Sequence, residues 1–340
     1  MRILITAPYN QKGQDILSGK FGEVIYKPWK DNGRAFNESE LNKLIDETHA
    51  DALITEHDKV TANVINLHPE LQFIGVCRGT PSNVDLEAAQ KKGIQVFYTP
   101  ARNAQAVAEL FISNVISLMR NTIPSWQWLT GKNWGEGAHT SYLQFKGNEL
   151  AGKTIGMVGF GAVGQRIAEM IKSFPCHIKF YDPFIVTTNP DYHKTSLEDI
   201  FESSDIVSIH LPVNDQTIGM IDKKLISKMK PDAIFVNTAR ASVVKRDDLL
   251  SAIENNRIRG AVLDVFDFEP PDQQDYRLIN HPHVLATPHI AGATHEVEDH
   301  HVEILNERIL KWASSSEINN AEEKKNSLIG NGIYASIYCN

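Results

Sequence analysis

At 340 residues the chain is long enough for two domains, and 42% apolar with 22% charged residues is ordinary for a globular protein. A formal charge of −8 excludes a general nucleic-acid role, which needs a basic face. Cys77, Cys176 and Cys339 are far apart and have no C-x-x-C spacing. The sequence therefore predicts no disulfide framework and no metal site, and points to a reducing, cytoplasmic compartment. The apolar run at residues 3–7 is too short for a signal-peptide core or a membrane span.

The first hundred residues alternate strand and helix signals. Residues 3–7, 24–29, 52–55, 73–76 and 95–99 read as strands, and 14–17 and 38–45 as helices. Ser82-Asn-Val-Asp-Leu-Glu-Ala-Ala reads as a capped helix start, with Gly93 as its stop. Short connections in such a βα repeat predict a parallel sheet with helices on both faces. Residues 103–120 carry Val107, Leu110, Phe111, Val115 and Leu118 at helical spacing, in a helix that leads to a second domain. Residues 121–149 hold three tryptophans and no clean period, so they read as a loop covering the second domain or an oligomer partner.

The sharpest signal lies at residues 154–171. Ile155, Met157 and Val158 read as a buried parallel strand, Gly159-Phe160-Gly161-Ala162-Val163-Gly164 as a turn, and Val163, Ile167, Met170 and Ile171 as a helix. Gly159 permits the tight turn, Gly161 lets the backbone approach a pyrophosphate, and Gly164 lets the helix pack on the strand. The diphosphate would sit at the helix N-terminus, where N–H groups and the dipole favour negative charge. A second strand ends on Asp182, placed to accept from the adenosine ribose. Its charge repels a 2′-phosphate, and Pro183 and Phe184 supply no cation, so NAD is expected rather than NADP.

An alternating series continues from this motif, with strands at 154–159, 177–182, 205–211, 233–238, 260–265 and 284–287. Helices are predicted at 162–173, 196–202, 222–229 and 246–255, and a last one at 297–313 returns to the first domain. The predicted α/β architecture is two Rossmann-like, doubly wound parallel-sheet domains with the active cleft between them. One is a discontinuous, flavodoxin-like substrate domain, 1–102 with 289–317. The other is an NAD-binding domain, 103–288, and 318–340 is expected to fray as a tail.

Three strand ends carry residues suited to chemistry: Asn237-Thr-Ala-Arg240, Leu263-Asp264-Val-Phe-Asp-Phe-Glu269-Pro270, and Thr287-Pro-His289-Ile-Ala-Gly292. In an open parallel sheet the carboxyl ends of the strands border the ligand crevice. Arg240 can hold a carboxylate through its planar fork. His289 can take a hydroxyl proton as hydride leaves the adjoining carbon, and Glu269 can fix the imidazole tautomer and stabilise the imidazolium. His210 also ends a strand and is expected to line the crevice. His281, His283, His300 and His301 read as solvated. Asp264 is expected either to accept from the nicotinamide amide or to cap the chain.

With these residues in view, the chain resembles the D-isomer-specific 2-hydroxyacid dehydrogenase family from about Phe73 to Ala313. The likeness rests on Asn83-Val-Asp-Leu-Glu-Ala-Ala, Asn103-Ala-Gln-Ala-Val-Ala-Glu109, Gly147-Asn-Glu-Leu-Ala-Gly-Lys-Thr, Gly159 to Gly164, Val207-Ser-Ile-His-Leu-Pro, Asn237-Thr-Ala-Arg240, Leu263-Asp-Val-Phe and Pro288-His289-Ile-Ala-Gly. The resemblance implies Arg240 as substrate clamp, Glu269 as orienting acid and His289 as general acid/base. For the cofactor it implies Gly159, Phe160, Gly161, Ala162, Val163, Gly164, Asp182, His210, Leu211, Pro212 and Thr217. It adds Thr238, Ala239, Arg240, Asp264, His289, Ala291, Gly292 and Val107 to that set. For the substrate it implies Val76, Cys77, Arg78, Gly79 and Asn103 beside Arg240 and His289. It also implies a homodimer, through the dinucleotide domain and the 121–149 arm.

The Cys77-Arg78-Gly79-Thr80-Pro81 loop looks most like 3-phosphoglycerate-dehydrogenase-like members, with Arg78 as an added cation for a phosphate or a second carboxylate. No long C-terminal regulatory domain follows, so serine feedback is not implied. Two positions depart from the family. Ala241-Ser242 stands where Gly usually follows the arginine, and a positive φ there would strain Ala241 by roughly 1 kcal/mol or more. Lys245 replaces an acid. The expected activity is NAD-dependent interconversion of a D-2-hydroxy acid and its 2-oxo acid. An alternative is an NAD(H)-sensing, corepressor-type regulator on the same scaffold. A Rossmann methyltransferase is disfavoured by the downstream Arg, Glu and His.

Overall fold

The computed structural model describes residues 1–135, 137–186 and 189–334, with side chains to residue 315 except that of Ala138. The chain divides into two compact units. The first comprises Met1–Arg102 and the segment from Thr294 on, and the second Asn103–Ala293.

In chain order the first unit holds β1 (Arg2–Ile5), α1 (Gln11–Phe21), β2 (Glu23–Tyr26), α2 (Glu38–Thr48) and β3 (Ala52–Thr55). It continues with α3 (Ala62–Leu67), β4 (Phe73–Val76), α4 (Leu86–Lys92) and β5 (Gln95–Tyr98). Its five strands are all parallel in the order β2-β1-β3-β4-β5, the flavodoxin-like arrangement. Alternation along β1 sends Leu4 to one face, against Leu41, Ile45 and Val64 of α2 and α3. Ile3 and Ile5 face the other side, with Leu17 of α1 and with Val302, Leu305 and Ile309 of the last helix. Asn37 and Glu40 cap α2 reciprocally. Helix α4 starts from Asp85, whose side chain accepts from Ala88 N, and stops at Gly93 in the left-handed region.

The second unit holds α5 (Ala104–Met119), α6 (Thr122–Thr130), α7 (Ala138–Gln144), β6 (Thr154–Val158), α8 (Ala162–Ile171), β7 (His177–Tyr181) and β8 (Tyr192–Lys194). It continues with α9 (Leu197–Ser203), β9 (Ile206–Ile209), α10 (Lys223–Ile226), β10 (Ile234–Asn237), α11 (Arg246–Glu254), β11 (Gly260–Leu263), α12 (Gln273–Ile279) and β12 (Val284–Ala286). All seven strands are parallel, in the order β12-β11-β10-β9-β6-β7-β8. The chain winds outward from β6 in both directions, so the switch point lies between β6 and β9. Val158, Val207, Ile209 and Phe235 pack with the apolar residues of α9, α10 and α11. Ile155, Met157, Val236 and Val262 pack on the other face with Phe111 and Val115 of α5 and Ile167 of α8.

The differences from the sequence reading have local causes. Residues 121–149 contain α6 and α7 rather than a loop. Helix α6 buries none of its residues, so no apolar stripe marks it; instead the Trp128 ring packs edge-on against Phe145 at 5.5 Å and tilted against Trp134 at 6.0 Å. Strand β8, three residues at a sheet edge, carries no apolar run. Helices α3 and α12 are six and seven residues long, too short for a period to show. The last helix, α13 (His295–Tyr334), is longer than the predicted 297–313 and includes most of the segment expected to fray; Cys339 and the other residues after Tyr334 lie outside the described residues. Residues 289–293 fall with the second unit, because Asp264 binds the Ile290 and Ala291 amides. Among the described residues no helix is long and apolar enough to cross a membrane.

Candidate active site

The turn between β6 and α8 has the geometry that its glycines suggest. Gly159 has φ +91°, and a Cβ there would meet the His210 carbonyl oxygen at 2.6 Å, so only glycine fits. A Cβ at Gly164 would lie 2.9 Å from the Gly159 carbonyl oxygen, which is the close helix–strand approach. A Cβ at Gly161 would meet nothing within 4 Å and would project into open space. Gly161 is the N-cap of α8 and no side chain caps that helix. Its first turn therefore offers backbone N–H groups and the positive dipole end to an anion. At the same carboxyl end of the sheet, after β10, Thr238 Oγ1 is buried without a partner among the described residues. This cradle fits a dinucleotide: diphosphate on α8, with Ala162 and Gly161 exposed to receive it.

Phe160 contributes to that turn through its backbone. Its ring is buried and stacks on Phe180 at 4.1 Å. Asp182 Oδ2 accepts from Phe160 N at 2.8 Å, while Oδ1 accepts from Phe184 N and Ile185 N at 2.8 and 3.0 Å. The acid thus braces the turn, and Oδ2, which accepts only one of these bonds, keeps lone-pair capacity for a ribose hydroxyl.

Arg240, Glu269 and His289 line one depression of about 280 Å³ in the second unit, with Ser242, Phe266 and Asp267. His289 Nδ1 lies 2.7 Å from Glu269 Oε2, and both side chains are about half exposed. With Nδ1–H donating to the carboxylate, Nε2 is left for a ligand. Arg240 is exposed and donates from Nη1 to the Ala239 carbonyl at 2.6 Å. Asn237 shapes that strand end, accepting from Ala239 N and donating to the Arg240 carbonyl. Ala241 opens a 3-10 turn, Ala241–Val243, and is not among the residues of positive φ, so the expected strain is absent.

His289 itself has φ +53°, an uncommon conformation for a residue with a Cβ, worth about 1 kcal/mol or more. Asp264 holds it there. That carboxylate is fully buried and accepts from Thr287 Oγ1 at 2.5 Å, Ile290 N at 2.9 Å and Ala291 N at 2.8 Å. Of the two roles expected for Asp264, these hydrogen bonds perform the capping one.

The remaining expected contacts divide by unit. Val76, Cys77, Arg78 and Gly79 sit at and just beyond the carboxyl end of β4 in the first unit, with Val76 and Cys77 buried. In the second, Asn103 stands at the N-cap position of α5 without a side-chain capping bond, close to Gly292, where a Cβ would lie 2.7 Å from Asn103 Nδ2. Val107 and Ala291 are almost fully buried. Leu211 and Pro212 follow β9, and Thr217 Oγ1 donates to the Pro212 carbonyl at 2.6 Å, folding that loop. His210 packs against Phe111 and its Nε2 lies 2.9 Å from Ser208 Oγ. Burial pushes its pKa down to about 4, so it stays neutral near pH 7.

One of the histidines read as solvated is not. His301 is fully buried in the first unit, because Pro8 O and Arg102 Nη1 satisfy both ring nitrogens, at 2.7 and 3.0 Å. Among the described residues no cluster of three or more His, Cys, Asp or Glu could hold a metal. The sequence assigns no site role to Ser242 and Asp267, which line the depression, or to Arg246, which pairs with Asp267. The only signal for these was their adjacency to Arg240 and Glu269.

The family model described as "D-isomer specific 2-hydroxyacid dehydrogenase, NAD binding domain" matches residues 112–291, more than half of the chain. The chain is 56% identical over 319 residues to the putative 2-hydroxyacid dehydrogenase YoaD of Bacillus subtilis (strain 168), covering 94% of this chain and 93% of that one. This chain belongs to the D-isomer-specific 2-hydroxyacid dehydrogenases. It is also 31% identical over 316 residues to the D-3-phosphoglycerate dehydrogenase of the same organism, covering 92% of this chain and 57% of that longer protein. A solved D-2-hydroxyisocaproate dehydrogenase shares the fold, with a TM-score of 0.80 at 23% identity, over 93% of this chain and 98% of that one.

As a member of this family the protein is an NAD-dependent oxidoreductase. The relatives carry enzyme names, and the regulator reading finds no support among them. In this dehydrogenase, Asp264→Asn keeps shape but turns an NH2 group toward a backbone N–H. Unfolding midpoints in urea should show a loss of about 1–3 kcal/mol. Unchanged stability would remove Asp264 from the clamp.

Proposed function

We propose that this dehydrogenase interconverts a small D-2-hydroxy acid and its 2-oxo acid, with Arg240 as substrate clamp and Glu269–His289 as the proton-handling pair. The observation that carries this reading is the 2.7 Å contact of His289 Nδ1 with Glu269 in a depression that Arg240 also lines. When bound, NAD(H) supplies the hydride exchanged with C2 of the acid. The chain's residues do the rest. Arg240 receives the substrate carboxylate and polarises the carbonyl. His289 Nε2 delivers a proton to the carbonyl oxygen during reduction and removes it from the hydroxyl during oxidation. Glu269 fixes the tautomer and stabilises the imidazolium.

Reduction then needs His289 protonated and oxidation needs it neutral. Rates in the two directions should change oppositely with pH, and His289→Asn should lower kcat by about a hundredfold or more with little change in NADH affinity. Stopped-flow turnover over a panel of glyoxylate, hydroxypyruvate, 3-phosphohydroxypyruvate and longer oxo acids both names the substrate and checks this. Parallel pH profiles, or near-normal kcat in the variant, would exclude the histidine; no turnover of any oxo acid would reject the reading.

We assign Asp182 to the adenosine ribose, in support of NAD over NADP. Asp182→Ala should narrow the preference for NADH, measured as the ratio of kcat/KM for the two cofactors. An unchanged ratio would contradict the assignment.

We further infer a homodimer formed through the dinucleotide domain and the arm. The arm leaves Trp126, Trp134, Tyr142 and Leu143 more than half exposed, a patch suited to a second copy. Sedimentation equilibrium should give twice the chain mass, and a monomer at micromolar concentration rejects this. The cytoplasm fits the unpaired Cys77 and Cys176; cell fractionation that finds the protein outside the cytoplasm would overturn this placement.

A further inference from the structure

We infer that Arg246 is a positioning residue for the Glu269–His289 pair, acting through the acidic segment that carries Glu269; the inference rests on the proton-handling role proposed above for that pair. Arg246 is the first residue of α11, and its side chain is only 16% exposed. Nη1 lies 3.0 Å from both carboxylate oxygens of Asp272 and 3.1 Å from Asp275 Oδ1, and Nη2 donates to Gln274 Oε1 at 2.9 Å. On the other side, Nε lies 3.3 Å from Asp267 Oδ2, close enough for an ion pair but without hydrogen-bond alignment. The guanidinium carbon stands 5.8 Å from the centre of the Phe268 ring.

These contacts fall on both sides of Glu269 in the chain. Asp267 and Phe268 precede it, and Asp272, Gln274 and Asp275 follow it. One guanidinium therefore ties together the two ends of the loop from which Glu269 reaches His289. The loop's other ties are modest: Phe268 N and Asp272 N donate to Asp275 Oδ2 at 3.2 and 3.4 Å. Among the described residues, Glu269 is held from its own loop only by Phe266 N at 3.4 Å, so its aim depends on how the loop is folded.

The charges point the same way. Asp267, Asp272 and Asp275 converge on Arg246, and Asp275 is 99% buried. Burial holds the Asp267 carboxyl above the usual carboxylate range, and Arg246 opposes that rise. Without the cation, three acids would repel one another and the loop would open, carrying Glu269 with it. A planar, bidentate fork meets this geometry, whereas a lysine reaches one acid at a time.

A double-mutant cycle tests this, using Arg246→Gln, Glu269→Gln and the pair together in the full-length protein. Arg246→Gln should lower kcat for oxo-acid reduction by about tenfold while the NADH Kd, read by fluorescence, is unchanged. Combined with Glu269→Gln it should add little, because both substitutions disable the same pair. Arg246→Lys should restore part of the loss, and it decides the matter if the Gln variant does not fold. Multiplying effects in the double variant, or wild-type kcat in folded Arg246→Gln or Arg246→Lys, would overturn the positioning role alone. A Glu269→Gln variant at wild-type turnover would instead reject the assignment of the pair, and the inference with it.

Discussion

The site depends on a single contact, the 2.7 Å approach of His289 Nδ1 to Glu269, between two loops twenty residues apart in the chain. Neither loop has reason to stay where it is on its own. The histidine occupies a left-handed backbone conformation, and the glutamate sits on a polar segment outside the sheet. Each is held from behind by a charge, fully buried on the histidine side and largely covered on the glutamate side. Asp264 gathers the hydroxyl of Thr287 and two backbone amides on the histidine side. Arg246 gathers the acids on the glutamate side. A charge withdrawn from water and held by several hydrogen bonds is a stiff support, since displacing it leaves donors or acceptors unmatched; Asp264 is held mainly by backbone amides and Arg246 by side chains.

The parallel sheet explains why these supports can meet. Strands β10, β11 and β12 are in register neighbours, Asn237 beside Leu263 and Leu263 beside Ala286. The three loops that follow must therefore leave the sheet at one edge, a few ångströms apart. That much was legible in the sequence, because each strand was a short apolar run with a polar residue at its end. The glycine turn was legible because its constraints are local: Gly159 holds φ +91° and Gly164 closes on the Gly159 carbonyl five residues back, which leaves a mark at a fixed spacing.

What could not be read depended on partners far away in the chain. His301 looked like one of a polar pair on a helix, and only folding brings Pro8 and Arg102 to its two nitrogens. That Asp264 caps the chain depends on the Thr287 hydroxyl and the Ile290 and Ala291 amides, more than twenty residues on. The arm helices gave no periodic signal because periodicity records burial, and α6 has none within its own chain. Strand β8 is held by pairing to β7 rather than by an apolar face, so composition says nothing of it.

The unusual loop after Arg240 is best understood with these distant contacts in mind. Ala241 looks costly if glycine is taken as a demand for positive φ, yet here the backbone turns through a 3-10 bend in which alanine is ordinary. The bend is fixed from outside by Gly219 N on the Ser242 carbonyl and Ile221 N on the Val243 carbonyl. Lys245, where an acid is usual, follows directly and places Arg246 at the head of α11, against the acids at 267, 272 and 275. Arg246 and those acids belong to one arrangement, of which Lys245 is not a part. Reverting Lys245 alone to an acid would leave it intact, because Lys245 reaches only Asp222, at 4.0 Å and half exposed. Changing Arg246 would not, because no second cation faces Asp275 among its described contacts.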